Sequence, residues 1–137
     1  MNNPSSHRVL VVEDNVLNLE LVSDLLEAAG YVVWPARTAE EGLQRAQHLP
    51  DLILMDLSLP GMDGLAAIRA LRTGPLTTDL PIIALTAHAM KGDEEIARAA
   101  GCDGYLTKPI DTRTFVEKVA GFIAFAHLRR TIDTTTN

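Results

Sequence analysis

Asp51-Leu52-Ile53-Leu54-Met55-Asp56-Leu57-Ser58-Leu59-Pro60-Gly61-Met62-Asp63-Gly64 is the stretch whose reading decides the fold. Residues 52–55 are an unbroken apolar run, the pattern of a strand covered on both faces. Asp56 closes the run, and a proline and two glycines follow within eight residues, so the strand gives way to a turn. A carboxylate at the end of a central strand costs free energy unless something there uses the charge. Taken alone, Asp56 fits a turn cap or a partner of a nearby Lys or Arg equally well. The other strand ends decide between that and a chemical role.

Outward from this stretch, strand and helix signals alternate. Residues 9–12 are a second buried run ending in Glu13-Asp14. A helix capped by Asp14 or Asn15 follows, with Leu17, Leu21 and Leu25 recurring every four residues as its expected core line, widened by Val22 and Leu26. Gly30 is placed to end it as a left-handed cap. Residues 31–34 read as a short strand stopped by Pro35. Thr38 and Glu41 form a capping-box pattern for the next helix, which Pro50 stops. Beyond Asp56, a helix is expected over 64–72 with Leu65, Ile68 and Leu71 inward. A strand over 82–85 ends in Thr86, and a helix follows over 87–100, ended by Gly101. Tyr105-Leu106 is a brief fifth strand leading into Thr107-Lys108-Pro109, and Asp111 caps a last helix bearing Phe115, Val119, Phe122 and Ile123. Five alternations with buried strands imply parallel βαβ units: an α/β doubly wound five-stranded parallel sheet flanked by five helices. Residues 1–6 and 128–137 are polar and read as tails around one domain over 7–127.

Composition agrees with a single domain and removes several classes. The chain has 137 residues, 47% of them hydrophobic, enough for a core. No apolar run is long enough to span a bilayer, and the first residues do not resemble a signal peptide. The single cysteine, Cys102, permits no internal disulfide and reads as packing, which points to a reducing, cytoplasmic setting. Twelve basic against 18 acidic residues give a net charge of −6, and no basic block exists beyond Arg129-Arg130, so direct nucleic-acid binding is not expected.

Ligands of an open parallel sheet sit beyond the carboxyl ends of its strands, where strand order reverses. This chain places Glu13 and Asp14 there after the first strand, Asp56 after the third, Thr86 and Ala87 after the fourth and Lys108 after the fifth. The second strand, ending at Pro35, adds nothing reactive. Two carboxylates about 5 Å apart repel by roughly 3 kcal/mol at an effective dielectric near 20. Lys108 answers one of three negative charges, and a divalent ion answers the rest. The donors are hard oxygens, which favours Mg²⁺ over Zn²⁺. Mg²⁺ also coordinates phosphate oxygens, and an Asp carboxylate can take up a phosphoryl group as a nucleophile. Asp56, standing between the acid pair and the Thr86–Lys108 side, is the best placed nucleophile. Lys108, the Thr86 hydroxyl and the Ala87 backbone N–H are placed to hold phosphoryl oxygens.

Four segments in order, Val11-Val12-Glu13-Asp14-Asn15, Leu54-Met55-Asp56-Leu57-Ser58-Leu59-Pro60-Gly61-Met62-Asp63-Gly64, Ala84-Leu85-Thr86-Ala87 and Gly104-Tyr105-Leu106-Thr107-Lys108-Pro109, resemble the response-regulator receiver domain of two-component signalling, CheY-like in fold. The resemblance covers residues 7–127 and implies a flavodoxin-like sheet of strand order 2-1-3-4-5. It implies that Asp56 is the phosphoacceptor, and that Asp14, Asp56 and the Ser58 backbone carbonyl are Mg²⁺ ligands. Glu13 would bind the metal through water, and Thr86 and Tyr105 would act as switch residues. It also implies a cis Lys108–Pro109 bond. The partners it implies are a histidine kinase or a histidine-phosphotransfer protein and a downstream protein meeting the fourth helix, fifth strand and fifth helix, with the chain a monomer or a phosphorylation-dependent dimer. Nothing of domain size follows Phe125, as in stand-alone receivers similar to the DivK type, and no turnover of an external substrate is expected.

Other readings remain beside this one. A receiver-like module that no longer takes phosphate would keep the fold without the chemistry. An aspartate-nucleophile phosphatase of the haloacid dehalogenase type wants a second Asp two residues after the first, where Ser58 stands. A dinucleotide enzyme wants a Gly-x-Gly-x-x-Gly after a strand, and none is present. Asn18 is either solvated or a partner contact, and His88 either solvated or a control on water access. Ile96, Ala99 and Val116 are either core or switch surface. Asp63 and Asp111 read as cap and turn residues rather than ligands.

Overall fold

The structure, a computed structural model, describes residues 7–59, 63–87 and 92–135. His88, Met90 and the Pro60-Gly61 turn lie outside them. Ten elements alternate: β1 (Arg8–Val12), α1 (Val16–Ala28), β2 (Val32–Ala36), α2 (Ala39–Ala46), β3 (Leu52–Asp56), α3 (Gly64–Thr73), β4 (Ile82–Thr86), α4 (Asp93–Ala100), β5 (Gly104–Thr107) and α5 (Phe115–Thr135). The strands form one parallel sheet, as the alternation predicts, in the order β2-β1-β3-β4-β5, as the resemblance implies. Every residue of β3 and β4 is buried, which is why these strands read as continuous apolar runs.

The alternating pleat divides the core in two. One cluster gathers Leu10, Val12, Ile53, Met55, Ile82 and Ala84 with residues of α2, α3 and α4. The other gathers Val9, Val11, Leu52, Leu54, Ile83 and Leu85 with residues of α1 and α5. Arg72 ties α3 to the starts of β4 and β5. Its guanidinium donates to the Gly101, Thr78 and Leu80 carbonyls and pairs with Asp103 at 2.9 Å. Asp103 in turn accepts the Ile82 N–H.

Helix starts are set by short polar side chains. Asn15, Thr38 and Asp63 cap α1, α2 and α3, each accepting a backbone N–H three residues on. Gly30, with φ of 97°, and Gly101, with φ of 120°, end α1 and α4. Asp111 accepts the Arg113 N–H in the turn that leads into α5.

Four expectations are corrected. Leu17 is 76% exposed and Leu21 40%, while Val22 and Leu26 are buried. A helix turns about every 3.6 residues, so a strict four-residue spacing drifts across the surface. The core stripe is Val22, Leu26 and the partly buried Leu19, Leu25 and Ala29. β2 does not stop before Pro35. It continues through Pro35, opposite Val11, to Ala36, because an edge strand has one side free of ladder donors. α4 begins at Asp93 rather than directly after Thr86. The helix of α5 runs on to Thr135, so the polar tail expected from residue 128 is helical over most of its length. Ile96 and Ala99 are exposed and Val116 half-buried. Cys102 is buried, and Trp34 packs against the core under the Arg8 guanidinium. Among the described residues, no helix is long and apolar enough to cross a membrane.

The exposure split in α1 is directly testable. Leu26→Ala is expected to cost about 2–5 kcal/mol of folding free energy, and Leu17→Ala less than about 0.5 kcal/mol. Urea unfolding of the two variants checks this, and equal losses would return Leu17 to the core.

Candidate functional site

β1, β3 and β5 bring their carboxyl ends to one place. Glu13 follows β1 and its N–H donates to the Ala36 carbonyl of β2, which fixes the turn. Asp56 ends β3 opposite Leu85 of β4. Glu13 and Asp56 are each 1% exposed. Among the described residues, Glu13, Asp14 and Asp56 form a group of acids whose ligand oxygens all lie within 4.8 Å of one another. Lys108, just past β5, is held by its N–H donating to the Thr86 carbonyl at 2.7 Å. Its Nζ stands 2.6 Å from Glu13 Oε1 and 3.2 Å from Asp56 Oδ2.

Glu13 Oε1 is paired with that ammonium. Glu13 Oε2 accepts the Asn15 N–H, and Asp56 Oδ1 accepts the Ser58 N–H at 2.9 Å. Burial, reinforced by the neighbouring Asp56, pushes the Glu13 carboxyl from 4.5 up to about 7. Burial works to lower the Lys108 ammonium's pKa, but the Glu13 and Asp56 carboxylates outweigh it and hold it above its ordinary value. Three carboxylates with one ammonium among them are an electron-rich, all-oxygen donor set that fits a hard divalent cation such as Mg²⁺.

Of the other expected residues, Thr86 is buried at the end of β4, next to Thr107 of β5 in register and near the Tyr105 side chain. Tyr105 is half-buried, and Ala87 and Ser58 are exposed beside the strand ends. The Lys108–Pro109 bond is cis. Asp63 and Asp111 stay in their caps and outside the acid group.

Three features escaped the sequence. Arg37 Nη2 donates to the Asp14 carbonyl at 3.1 Å. Ending β2 at Pro35 hid it, because Arg37 stands at the true carboxyl end of that strand. Exposed Val16, Leu17 and Leu21 lie on α1 beside the acids, and Leu21 and Asn18 share a pocket with Glu13, Lys108 and Ile110. Gly64 starts α3 directly against the backbone of residues 56 and 57. The signal for it was a glycine at a helix's first position.

With this geometry in place, the comparisons with known proteins are specific. The chain matches the response regulator receiver domain over residues 9–120. It belongs to the response-regulator receiver family. It is 44% identical over 119 residues to the polar-differentiation response regulator DivK of Brucella ovis, covering 86% of this chain and 97% of that one. Among solved structures it resembles a CheY-like receiver domain protein from Methanospirillum hungatei, with 29% identity, a TM-score of 0.82 and coverage of 90% and 98% of the two chains. It also resembles the receiver domain of a sensor histidine kinase from Pseudomonas aeruginosa, with 34% identity, a TM-score of 0.79 and coverage of 86% and 98%. That neighbour carries a magnesium ion coordinated in its active-site cleft. The receiver assignment accounts for the fold, the sheet order and the acid group together.

The raised Glu13 pKa gives a pH test. A folded-state pKa above the unfolded value means that the native state binds the proton more tightly, so this group's contribution is lost as pH rises from about 4.5 through about 7. Without divalent cations, the wild type should lose up to about 3 kcal/mol relative to Glu13→Gln across that window, and saturating Mg²⁺ should flatten the difference. Parallel stability curves in urea at each pH would contradict it.

Proposed function

We propose that this receiver domain takes a phosphoryl group on Asp56 from a histidine side chain of a kinase or phosphotransfer protein, with Mg²⁺, and thereby switches its protein contacts. The observation that carries this is the convergence of Glu13, Asp14, Asp56 and Lys108 on one buried sheet edge. Asp14, Asp56 and the Ser58 carbonyl would hold the ion, with Glu13 reaching it through water. Bound there, Mg²⁺ supplies positive charge to the phosphoryl oxygens and to the acids around them.

The residues divide the work. An Asp56 carboxylate oxygen attacks phosphorus, an O–P bond forms, and the N–P bond to the donor imidazole breaks with its electron pair going to nitrogen. Lys108, the Thr86 hydroxyl and the Ala87 N–H neutralise the equatorial oxygens. Water attack later breaks the O–P bond, restores the carboxylate and releases inorganic phosphate slowly. No external substrate is turned over. A cytoplasmic site of action suits a chain with one buried thiol.

The nearness of Thr86 and Tyr105 supports a route outward. When Thr86 moves toward the phosphoryl group, the half-buried ring can repack within the α4–β5–α5 face. Shifting a two-state equilibrium from 1:99 to 99:1 takes about 5.5 kcal/mol. A doubly charged group with several charge-assisted partners can supply energy of that order. Exposed Ile96 and Ala99 on α4 give a downstream protein apolar surface on that face.

Two experiments test the proposal. Protein incubated with a small phosphodonor and Mg²⁺ is expected to gain one phosphoryl mass, and Asp56→Ala to gain none. A chain unmodified under these conditions would sink the proposal. The apolar side chains beside the acids suit a protein donor. Leu17→Glu should therefore slow transfer from a phosphohistidine protein at least tenfold while leaving uptake from the small donor unchanged. Equal slowing with both donors would place Leu17 in the chemistry instead of the docking.

A further inference from the structure

We propose that Gly64 is a positioning residue for the Asp56 site, because its missing side chain lets α3 seat directly on the backbone of residues 56 and 57; its link to metal and phosphoryl binding rests on the reading of Asp56 above. A Cβ added at Gly64 would lie 2.6 Å from Leu57 Cα and 3.0 Å from the Asp56 carbonyl carbon, and nearer still to the Asp56 carbonyl oxygen. These are all main-chain atoms, so no rotamer change relieves the overlap. Gly64 is not among the positive-φ glycines, so the demand is for space and not for conformation. Gly104 differs in kind. Its Cβ would meet Ile83 Cδ1 at 2.7 Å and Phe122 Cε1 at 2.8 Å, which are side-chain atoms.

The contact closes a short rigid circuit. On one side the Leu57 N–H donates to the Leu85 carbonyl at 2.9 Å, fixing the end of β3 to β4. On the other side Gly64 abuts the same peptide. Asp63 Oδ1 accepts the Ala66 N–H at 2.7 Å, so the first turn of α3 is already formed where it lands. Between these anchors, the Ser58 N–H holds Asp56 Oδ1 at 2.9 Å. A methyl group at residue 64 must displace either the helix or residues 56–58. Displacing the latter moves the Asp56 carboxylate and the Ser58 carbonyl relative to Asp14 and Glu13. Misplacement of a reacting group by about 1 Å can cost on the order of 100-fold in rate.

The test compares Gly64→Ala, Asp63→Ala and Gly104→Ala in the full chain. Three readouts are taken: the Mg²⁺ dissociation constant by calorimetry, phosphoryl uptake from a small donor, and the amide resonance of Ser58. Gly64→Ala is expected to weaken Mg²⁺ binding and slow uptake by at least about tenfold, and to shift the Ser58 amide. Asp63→Ala, which loosens the helix start without a clash, should lower the urea midpoint, as loss of an N-cap implies, and weaken Mg²⁺ binding measurably but less than Gly64→Ala does. Gly104→Ala should lower the urea midpoint while leaving Mg²⁺ affinity and the Ser58 amide unchanged. A folded Gly64→Ala with wild-type Mg²⁺ affinity and an unmoved Ser58 amide would overturn the proposal. If Gly64→Ala does not fold, an unchanged Asp63→Ala would overturn it. A wild type that takes up neither Mg²⁺ nor phosphoryl would sink the reading of the site, and the Ser58 amide would still decide the role of Gly64.

Discussion

Three carboxylates, two of them buried, share one edge of the sheet, and the Lys108 ammonium stands among them, 2.6 Å from Glu13 and 3.2 Å from Asp56. Like charges this close repel by roughly 3 kcal/mol per pair. One ammonium cannot balance three ionised acids, and burial, reinforced by the neighbouring Asp56, raises the Glu13 carboxyl to about 7. A core that is otherwise apolar tolerates such a group only where a ligand completes it. In the proposed function, a divalent cation would offset this excess of negative charge and a phosphoryl group would be added against it.

The sheet makes this excess possible. Parallel strands all point their carboxyl ends the same way, and the order β2-β1-β3-β4-β5 sets β1 beside β3 at the reversal. Glu13 and Asp14 therefore meet Asp56, and β4 and β5 bring Thr86 and Lys108 alongside. Two core layers hold the strands rigid, so the site's geometry does not depend on its loops alone.

How much of this the sequence discloses depends on what each residue touches. The runs at 9–12, 52–55 and 82–85 announce buried strands because both faces of the sheet are covered, and the residue after each run falls at the site without further information. The caps Asn15, Thr38 and Asp63 are legible because they act within three residues of themselves. The α1 face was misjudged because leucines four apart imitate a core line, while the packed stripe through Val22 and Leu26 is set by partners on β1, β3 and α5. Arg37 was hidden by one proline at a strand edge, where proline is tolerated. The Gly64 contact joins two backbones across the Asp56 turn, and residue type gives no direct sign of such a distance.

We propose that Glu13, Asp14 and Asp56 make, beside the Lys108 ammonium, one cation site whose charge, and not packing alone, explains this cluster of acids. Direct calorimetric titration of Mg²⁺ into the wild type, Asp14→Asn and Asp56→Asn at neutral pH tests it most simply. The account predicts one saturable Mg²⁺ per wild-type chain and at least a tenfold loss of affinity in each variant. Absence of saturable binding in the wild type, or binding that survives both substitutions unchanged, would contradict it.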